Sequence, residues 1–306
     1  MASWPVNLAY KGGAAKKKTS QPPRGLGPES EPTMPPLWIG DPTNFCPTTT
    51  DKNIDMVFNL LTAGKKPAAA NDPPPHIVMT IGPPGAGKST ITRQFVKHWS
   101  EMKEDNYVEL DADLILDYLP EGGRLRNLPD MLGRPTGVGA AYGWDDCIGK
   151  VEAITSAVFF RLLEKRYYII YHSHYYMHLI EMAHAGYVST LLYVAVSRET
   201  ALRRAAARAK ETGRFLRPGA MESNGWGWED TVMWMWHNYR NWAPWYALWA
   251  DNLGVVNNDR DGHEFVKEDF KSYLSHPTEP GADWTQYVGA LWRVIREVHG
   301  PEASKK

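Results

Sequence analysis

The sequence predicts an α/β protein whose core is a mostly parallel sheet covered by helices. Two observations carry that prediction. Short, unbroken apolar runs such as HIVMTI (76–81) and STLLYVAV (189–196) recur along the chain, with the length of strands buried on both faces. Between them lie longer stretches with apolar residues three and four apart, as in Val151, Ile154, Val158 and Leu162, the spacing of a helix that buries one stripe. Strands that alternate with helices in this way form a parallel sheet.

The first seventy-five residues stand outside this pattern. Pro5, Pro22, Pro23, Pro28, Pro32, Pro35, Pro36 and the run Lys16, Lys17, Lys18 mark a segment too poor in apolar surface to offset the entropy of ordering, so residues 1–50 are expected to be a flexible tail. An organellar presequence in residues 1–28 stays open beside the plain reading of a solvated basic tail. In 51–64, Ile54, Phe58 and Leu61 predict a short helix that stops at Gly64 and packs on the main domain. PAAANDPPP (67–75) reads as a linker, because consecutive prolines exclude helix and central strand. The catalytic domain is expected over 76–300.

Along that domain the elements follow in order. A strand at 76–81 leads to a helix at 88–103, and a strand at 107–110 to a short helix at 113–119 that Pro120 stops. Residues 122–139 are rich in glycine and proline and read as loop. A long helix at 146–165 precedes a strand at 167–171, a helix at 175–184, the strand at 189–196 and a helix at 199–211. A helix at 229–250, broken or kinked by Pro244, leads to a fifth strand at 253–257, and a last helix spans 284–298. The charged stretch 259–283 has no assigned element.

A formal net charge of -1 argues against nucleic acid as the main partner. No apolar run approaches the roughly 20 residues that cross a bilayer. Cys46 and Cys147 are the only cysteines. Their wide spacing suggests neither a disulfide framework nor a zinc site, and so a reducing, cytoplasmic setting.

The chemistry begins at GPPGAGKS (82–89), a complete G-x-x-x-x-G-K-[ST] phosphate loop between a strand and a helix. Gly82, Pro83, Pro84, Gly85, Ala86 and Gly87 curl the backbone so that its N–H groups face phosphate oxygens, and the helix adds its positive end. Lys88 is expected to reach the β- and γ-phosphates of ATP, Ser89 to ligate Mg²⁺, and Thr90 to complete the nucleotide site. The fold class is therefore a P-loop NTPase-like three-layer fold on a mostly parallel five-stranded sheet. The next strand delivers Asp111 and Asp113 to the same edge. A carboxylate there can take a proton from an attacking hydroxyl or hold Mg²⁺; the competing reading is that these acids cap the following helix. A motor or switch ATPase is disfavoured, since LLYVAVS ends in Ser197 and LGVVN in Asn257 rather than in an acid.

GPPGAGKST, DADLILDYLP and GYVSTLLYVAVSRETALRRAAARAKETGR, in this order, resemble the zeta toxin family of P-loop kinases over residues 76–260. The resemblance implies a small-molecule kinase with Asp113 as general base and Arg208 and Arg214 on the transferring phosphoryl group, with Arg217 the alternative to Arg214; that leaves Asp111, with Ser89, as the candidate metal residue at the strand end. Arginine suits this role on physical grounds, because it contacts phosphate oxygens in bidentate fashion; the competing reading for Arg203, Arg204 and Arg208 is a solvated helix face.

The acceptor half departs from the family. Where the family carries Glu-Gly-Thr and grips UDP-N-acetylglucosamine, this chain reads Tyr171, His172, Ser173, then His174, and the nearest acid on the preceding helix, Glu152, is about one turn out of register. These five residues are the candidate acceptor contacts. A metal pair of His172 and His174 lacks a third ligand. The stretch 226–249 holds seven of the thirteen tryptophans. Val232, Trp236, Tyr239 and Ala243 form a core stripe, while Trp234 and Trp242 lie off it and could face a ligand or a protein partner. The expected function is ATP- and Mg²⁺-dependent phosphoryl transfer to a hydroxyl of a small molecule. The alternative is a nucleotide-gated binding module that has lost kinase activity, with a protein partner met through the tail or the Trp-rich helix.

Overall fold

The computed structural model describes residues 46–98, 106–120, 138–173, 175, 177–212, 228–262, 265, 271–274 and 284–299. The apolar runs become strands because both of their faces find partners. In β1 (His76–Ile81), Ile77, Met79 and Ile81 pack into one layer of core and Val78 into the other. Alternate side chains of a strand point to opposite faces, so an unbroken apolar run is what two covered faces demand.

β1 is followed by α2 (Lys88–His98), β2 (Tyr107–Asp111), α3 (Ala112–Tyr118), α4 (Val138–Glu164), β3 (Tyr168–His172), α5 (Met177–His184), β4 (Val188–Ala195), α6 (Arg198–Thr212), α7 (Trp228–Ala247), β5 (Asn252–Asn257), β6 (Lys271–Leu274) and α8 (Trp284–His299), with α1 (Asp51–Thr62) ahead of them all. The sheet order is β2-β3-β1-β4-β5-β6. The first five strands are parallel, in the registers Ile77↔Ile169 and Ile77↔Ser189 on either side of β1. β6 is an antiparallel edge strand on β5, within the charged stretch to which the sequence assigned no element. β1 lies between β3 and β4, where the strand order turns, which is the point at which open α/β sheets bind ligands beyond their carboxyl ends.

One face of the sheet packs α1, α4 and α8 residues around Ile154, Val158, Phe159 and Ile295; the other packs α2 and α6 through Ile91, Phe95, Ala201 and Ala205. Each isoleucine, valine or phenylalanine among these contributes about 1.5–3 kcal/mol when it leaves water. α1 starts where the Thr50 hydroxyl accepts from Asn53 N–H, a helix N-cap. Its Ile54 and Val57 are buried, and Asp55 pairs with Arg161 of α4. The proline-rich segment after it is tied down, because Ala68 N–H donates to Arg166 O and Ala69 N–H to Asp72 Oδ2.

Three expectations are corrected. Cys46 and Cys147 form a disulfide across a sequence separation of 101 residues. Distance along the chain misled here, because the packing of α1 on α4 brings the residues just before α1 against Cys147. The long helix begins at Val138, well before residue 146. α7 runs through Pro244 as one helix to Ala247. In α7 the stripe Val232, Tyr239 and Ala243 is buried, whereas Trp234, Trp245 and the following Trp249 are exposed. Among the described residues, no helix is long and apolar enough to cross a membrane. Of the tail expected over 1–50, residues 1–45 lie outside the described residues, while at 46–50 the expectation of a flexible segment is corrected as well, because Cys46 is buried in the disulfide and Thr50 caps α1.

Candidate active site

The phosphate loop is shaped by what presses on it. Gly85 and Gly87 have φ of 78° and 76°, a left-handed backbone that residues with a Cβ rarely adopt. Space forbids a Cβ as well: at Gly85 it would fall 2.6 Å from Ala201 O of α6, and at Gly87 2.6 Å from Asn258 Nδ2. α6 and the end of β5 therefore hold the loop from two sides. Asn258 is buried; its Nδ2 donates to Ala86 O at 2.7 Å, and its backbone N–H donates to Ala195 O at the end of β4. The sequence reading did not single out Asn258. Lys88 Nζ donates to Gly82 O at 2.9 Å and to Pro83 O at 3.3 Å, so its ammonium lies over the loop. Beneath it, Thr92 Oγ1 donates to Lys88 O and meets Thr80 Oγ1 at 2.8 Å, which fastens the first turn of α2 to β1.

α2 also reaches the neighbouring strand. Arg93 makes a forked pair with Glu109 of β2, and Glu109 Oε1 meets His172 Nε2 at 3.0 Å. Burial alone would raise the Glu109 carboxyl, but the hydrogen bond from His172 and the pair with Arg93 outweigh it and hold Glu109 below the usual carboxylate range. Asp111 lies two residues beyond Glu109 on the same face and in register with His172. Ser89 lies one helical turn before Arg93 on the same side of α2. The two candidate Mg²⁺ residues thus come from adjacent elements that Arg93 and Glu109 hold together. His172 Nδ1 is a buried polar atom with no hydrogen-bond partner on this face. Ser89 offers a hydroxyl and Asp111 a carboxylate, the oxygen donors that a hydrated divalent cation takes, so these two residues fit the cofactor the loop implies. Asp113 is in the first turn of α3, directly after β2, and its side chain lies outside what the structure describes.

α6 carries the arginines. Ala201, Arg204 and Ala205 form the stripe against Gly85, and Arg208 lies on the same stripe one turn on, with an exposed side chain. Arg203 lies on the other side of the helix; with Arg204 it pairs to Asp261 in the turn after β5. Arg214 and Arg217 lie outside the described residues, as does His174.

The acceptor candidates separate. Tyr171 points away from the phosphate face. It is 1% exposed, its ring stacks on Phe159, and its hydroxyl meets His178 Nδ1 at 2.8 Å. Burial pushes the Tyr171 phenol above its ordinary range and His178 below its own. Tyr171 is therefore a core residue, and the expectation that it contacts an acceptor is corrected: successive strand residues face opposite sides, and α4 covers this one. Ser173 Oγ accepts from Tyr175 N–H in the turn after β3. The Tyr175 hydroxyl donates to Glu152 Oε2 at 2.7 Å, so Glu152 of α4 does come to the end of β3. Burial and this hydrogen bond push the Tyr175 phenol up to about 12.

The sequence pattern of the zeta toxin family matches residues 60–224, more than half of the chain. The chain belongs to the zeta toxin family. Its overall fold is similar to a structure of the PezAT chromosomal toxin–antitoxin system of the human pathogen Streptococcus pneumoniae, at 18% identity over 69% of this chain and 80% of that one, with a TM-score of 0.49. It is also similar to AvrRxo1-ORF1:-ORF2 with ATP, at 12% identity over 83% of this chain and 72% of that one, with a TM-score of 0.46. No curated protein matches it.

Proposed function

We propose that this zeta toxin family chain is an ATP- and Mg²⁺-dependent phosphotransferase acting on a hydroxyl of a small molecule. The observation that supports it best is the coupling of loop and neighbouring strand: α2 starts from the phosphate loop, and its Arg93 grips Glu109 two residues below Asp111. A module that only bound nucleotide would have no need of a base at Asp113, which follows Asp111 in the first turn of α3.

In this reading the curled loop gives its N–H groups to the phosphates and Lys88 swings from the Gly82 and Pro83 carbonyls to the β- and γ-phosphates. Ser89 and Asp111 would hold Mg²⁺, which would supply positive charge to offset that of the phosphates. Asp113 takes the proton of the acceptor hydroxyl. Arg208, with Arg214 or Arg217, contacts the transferring phosphoryl oxygens in bidentate fashion. Catalysis is then positioning and electrostatics with no covalent protein intermediate. The acceptor approaches over the ends of β2 and β3, where Glu152 and Ser173 offer hydrogen bonds.

The second reading, a nucleotide-gated binding module without transfer, is favoured by one observation. The family's acceptor glutamate at the end of β3 is replaced by the core residue Tyr171, and Glu152 is already bonded to Tyr175. Its protein partner would meet the exposed Trp234, Trp245 and Trp249.

The experiment is ATP consumption by the purified chain with Mg²⁺, with no acceptor, with UDP-N-acetylglucosamine and with a metabolite pool, beside Asp113→Asn. Acceptor-dependent turnover that the variant loses is expected. Measurable ATP binding with no turnover in any arm would overturn the kinase and leave the binding module.

A further inference from the structure

α7 carries apolar residues on two faces, and only one of them is covered. At 3.6 residues per turn, Val232, Tyr239 and Ala243 fall on one side and pack into the core. Trp234, Asn238, Trp242 and Trp245 fall within an arc of about 80° on the other side. Leu248 N–H donates to Trp245 O and Trp249 N–H to Tyr246 O, so a further turn brings Trp249 onto the same stripe. Trp234, Trp245 and Trp249 are 46%, 54% and 50% exposed. A helix that is apolar on both sides is ordinarily a buried one, yet the tryptophan side of α7 is open.

The stripe is already set in place. Trp234 and Trp242 meet edge to face with ring centroids 5.9 Å apart, and Trp242 stacks on Tyr246 at 6.2 Å. Asn238 Nδ2 donates to Trp234 O within the helix. Side chains held this way have little freedom left to lose when a surface meets them. Half of a tryptophan is roughly 125 Å². The three exposed rings, with the part-exposed Trp242 and Tyr246, therefore offer roughly 500 Å². A stable interface covers about 800 Å² of each partner, somewhat over half of it apolar. The stripe is thus the size of the apolar centre of one standard interface.

Charge and spacing select the occupant. No residue of the stripe is charged. Between 228 and 250 the only lysine or arginine is Arg240, which is buried against the ring of Trp236, so the face carries no cation for lipid phosphates or nucleic acid. A copy of the same face brings no like charge against it. A twofold dimer sets a patch against itself, so its members must come in pairs at equal distances from the axis. Trp234 stands seven residues before Asn241 and Trp249 seven after Trp242; Asn238 stands three before Asn241 and Trp245 three after Trp242. With the axis between 241 and 242, antiparallel copies of α7 bring Trp234 against the partner's Trp249, and Trp245 against the partner's Asn238.

We propose that the tryptophan face of α7 is the interface of a twofold homodimer, in which two copies of α7 pack antiparallel about an axis beside Asn241 and Trp242. The dimer stands whether or not the chain transfers phosphate.

The test is the mass of the full chain in solution, by sedimentation equilibrium at about 100 µM, well above the micromolar dissociation constants at the weak end for interfaces of this size. Trp245→Ser is run beside it. The wild type is expected at twice 34.5 kDa. The variant, with an unchanged circular dichroism spectrum, is expected to dissociate with a constant raised at least about thirtyfold, the scale of a lost tryptophan anchor. Nitroxide labels read the direction of packing. With labels on Asn238→Cys and, separately, on Asp230→Cys, the distance between the two copies should be roughly 20 Å longer at 230 than at 238, because each copy steps eight residues further from the axis. A wild type of 34.5 kDa overturns the proposal, and its co-sedimentation with phosphatidylcholine vesicles would then give the face to lipid. A dimer that Trp245→Ser leaves as tight puts the interface elsewhere and overturns it too. So do equal label distances at the two sites, which mean parallel helices. If Trp245→Ser fails to fold, the labels decide alone, since they sit on a chain that keeps all its tryptophans.

Discussion

The Cys46–Cys147 bridge closes a loop of 101 residues that contains the phosphate loop, α2, β2 and α3. Cross-linking so long a loop removes chain entropy from the unfolded state; for about 100 residues the loop-closure relation gives roughly 4.7 kcal/mol as a ceiling. Both cysteines are buried, Cys147 completely, so reduction also leaves two thiols in an apolar site. At about 2–4 °C per kcal/mol for a large domain, that ceiling corresponds to a rise of roughly 9–19 °C in melting temperature. The assay is thermal unfolding of the wild type with and without reductant, and of the Cys46→Ser, Cys147→Ser double variant. Reductant and double substitution should each lower the midpoint by a similar amount, and reductant should have no effect on the double variant. Two free thiols in the intact native protein by mass spectrometry, or a double variant that melts with the oxidised wild type, would refute the reasoning.

Three further outcomes follow from the site. Gly87→Ala forces a Cβ into Asn258 at φ 76° and should cost about 1–2 kcal/mol of stability, and abolish nucleotide binding by calorimetry. Asn258→Ala leaves the Ala86 carbonyl without its buried donor, which costs about 1–3 kcal/mol, and should weaken ATP through the loop alone, with cation preference unchanged. Glu109 is held below its ordinary range, so its contribution to stability is present above the unfolded pKa and is lost as pH falls through the folded one. Denaturant midpoints of wild type and Glu109→Gln should therefore differ at neutral pH, start to approach each other below about pH 4, the unfolded range of a glutamate, and converge only once pH has fallen through the folded value; a gap that does not shrink as pH falls through this range would show that the pair with Arg93 and His172 is not the source.

What was legible in the sequence was local. The loop could be read because glycine, lysine and serine act within eight consecutive residues, and the parallel strands because a run covered on both faces leaves an unbroken apolar string. What was missed depends on sheet order. Asn258 reaches Ala86 from 172 residues away only because β4 lies beside β1 and β5 beside β4. The disulfide depends in the same way on α1 meeting α4. The misplacement of Tyr171 was avoidable in part. Period-two alternation already requires Tyr171 and His172 to face opposite sides, so only one of them could share a face with Asp111. Which one depended on the face that α2 covers, and the sequence held a clue to that as well. Glu109 is an acid inside the strand YVELD, an expensive residue to cover unless something pays for it. Its spacing from Asp111 puts both acids on one face, and that face had to offer a cation or a donor from the helix packed on it. Arg93, one turn below the phosphate loop's serine, supplies that cation, and His172 is the neighbouring donor on the next strand. A charged residue in an otherwise apolar strand is thus a pointer to the face on which a neighbouring helix brings a partner, and here that helix is the one that starts from the phosphate loop.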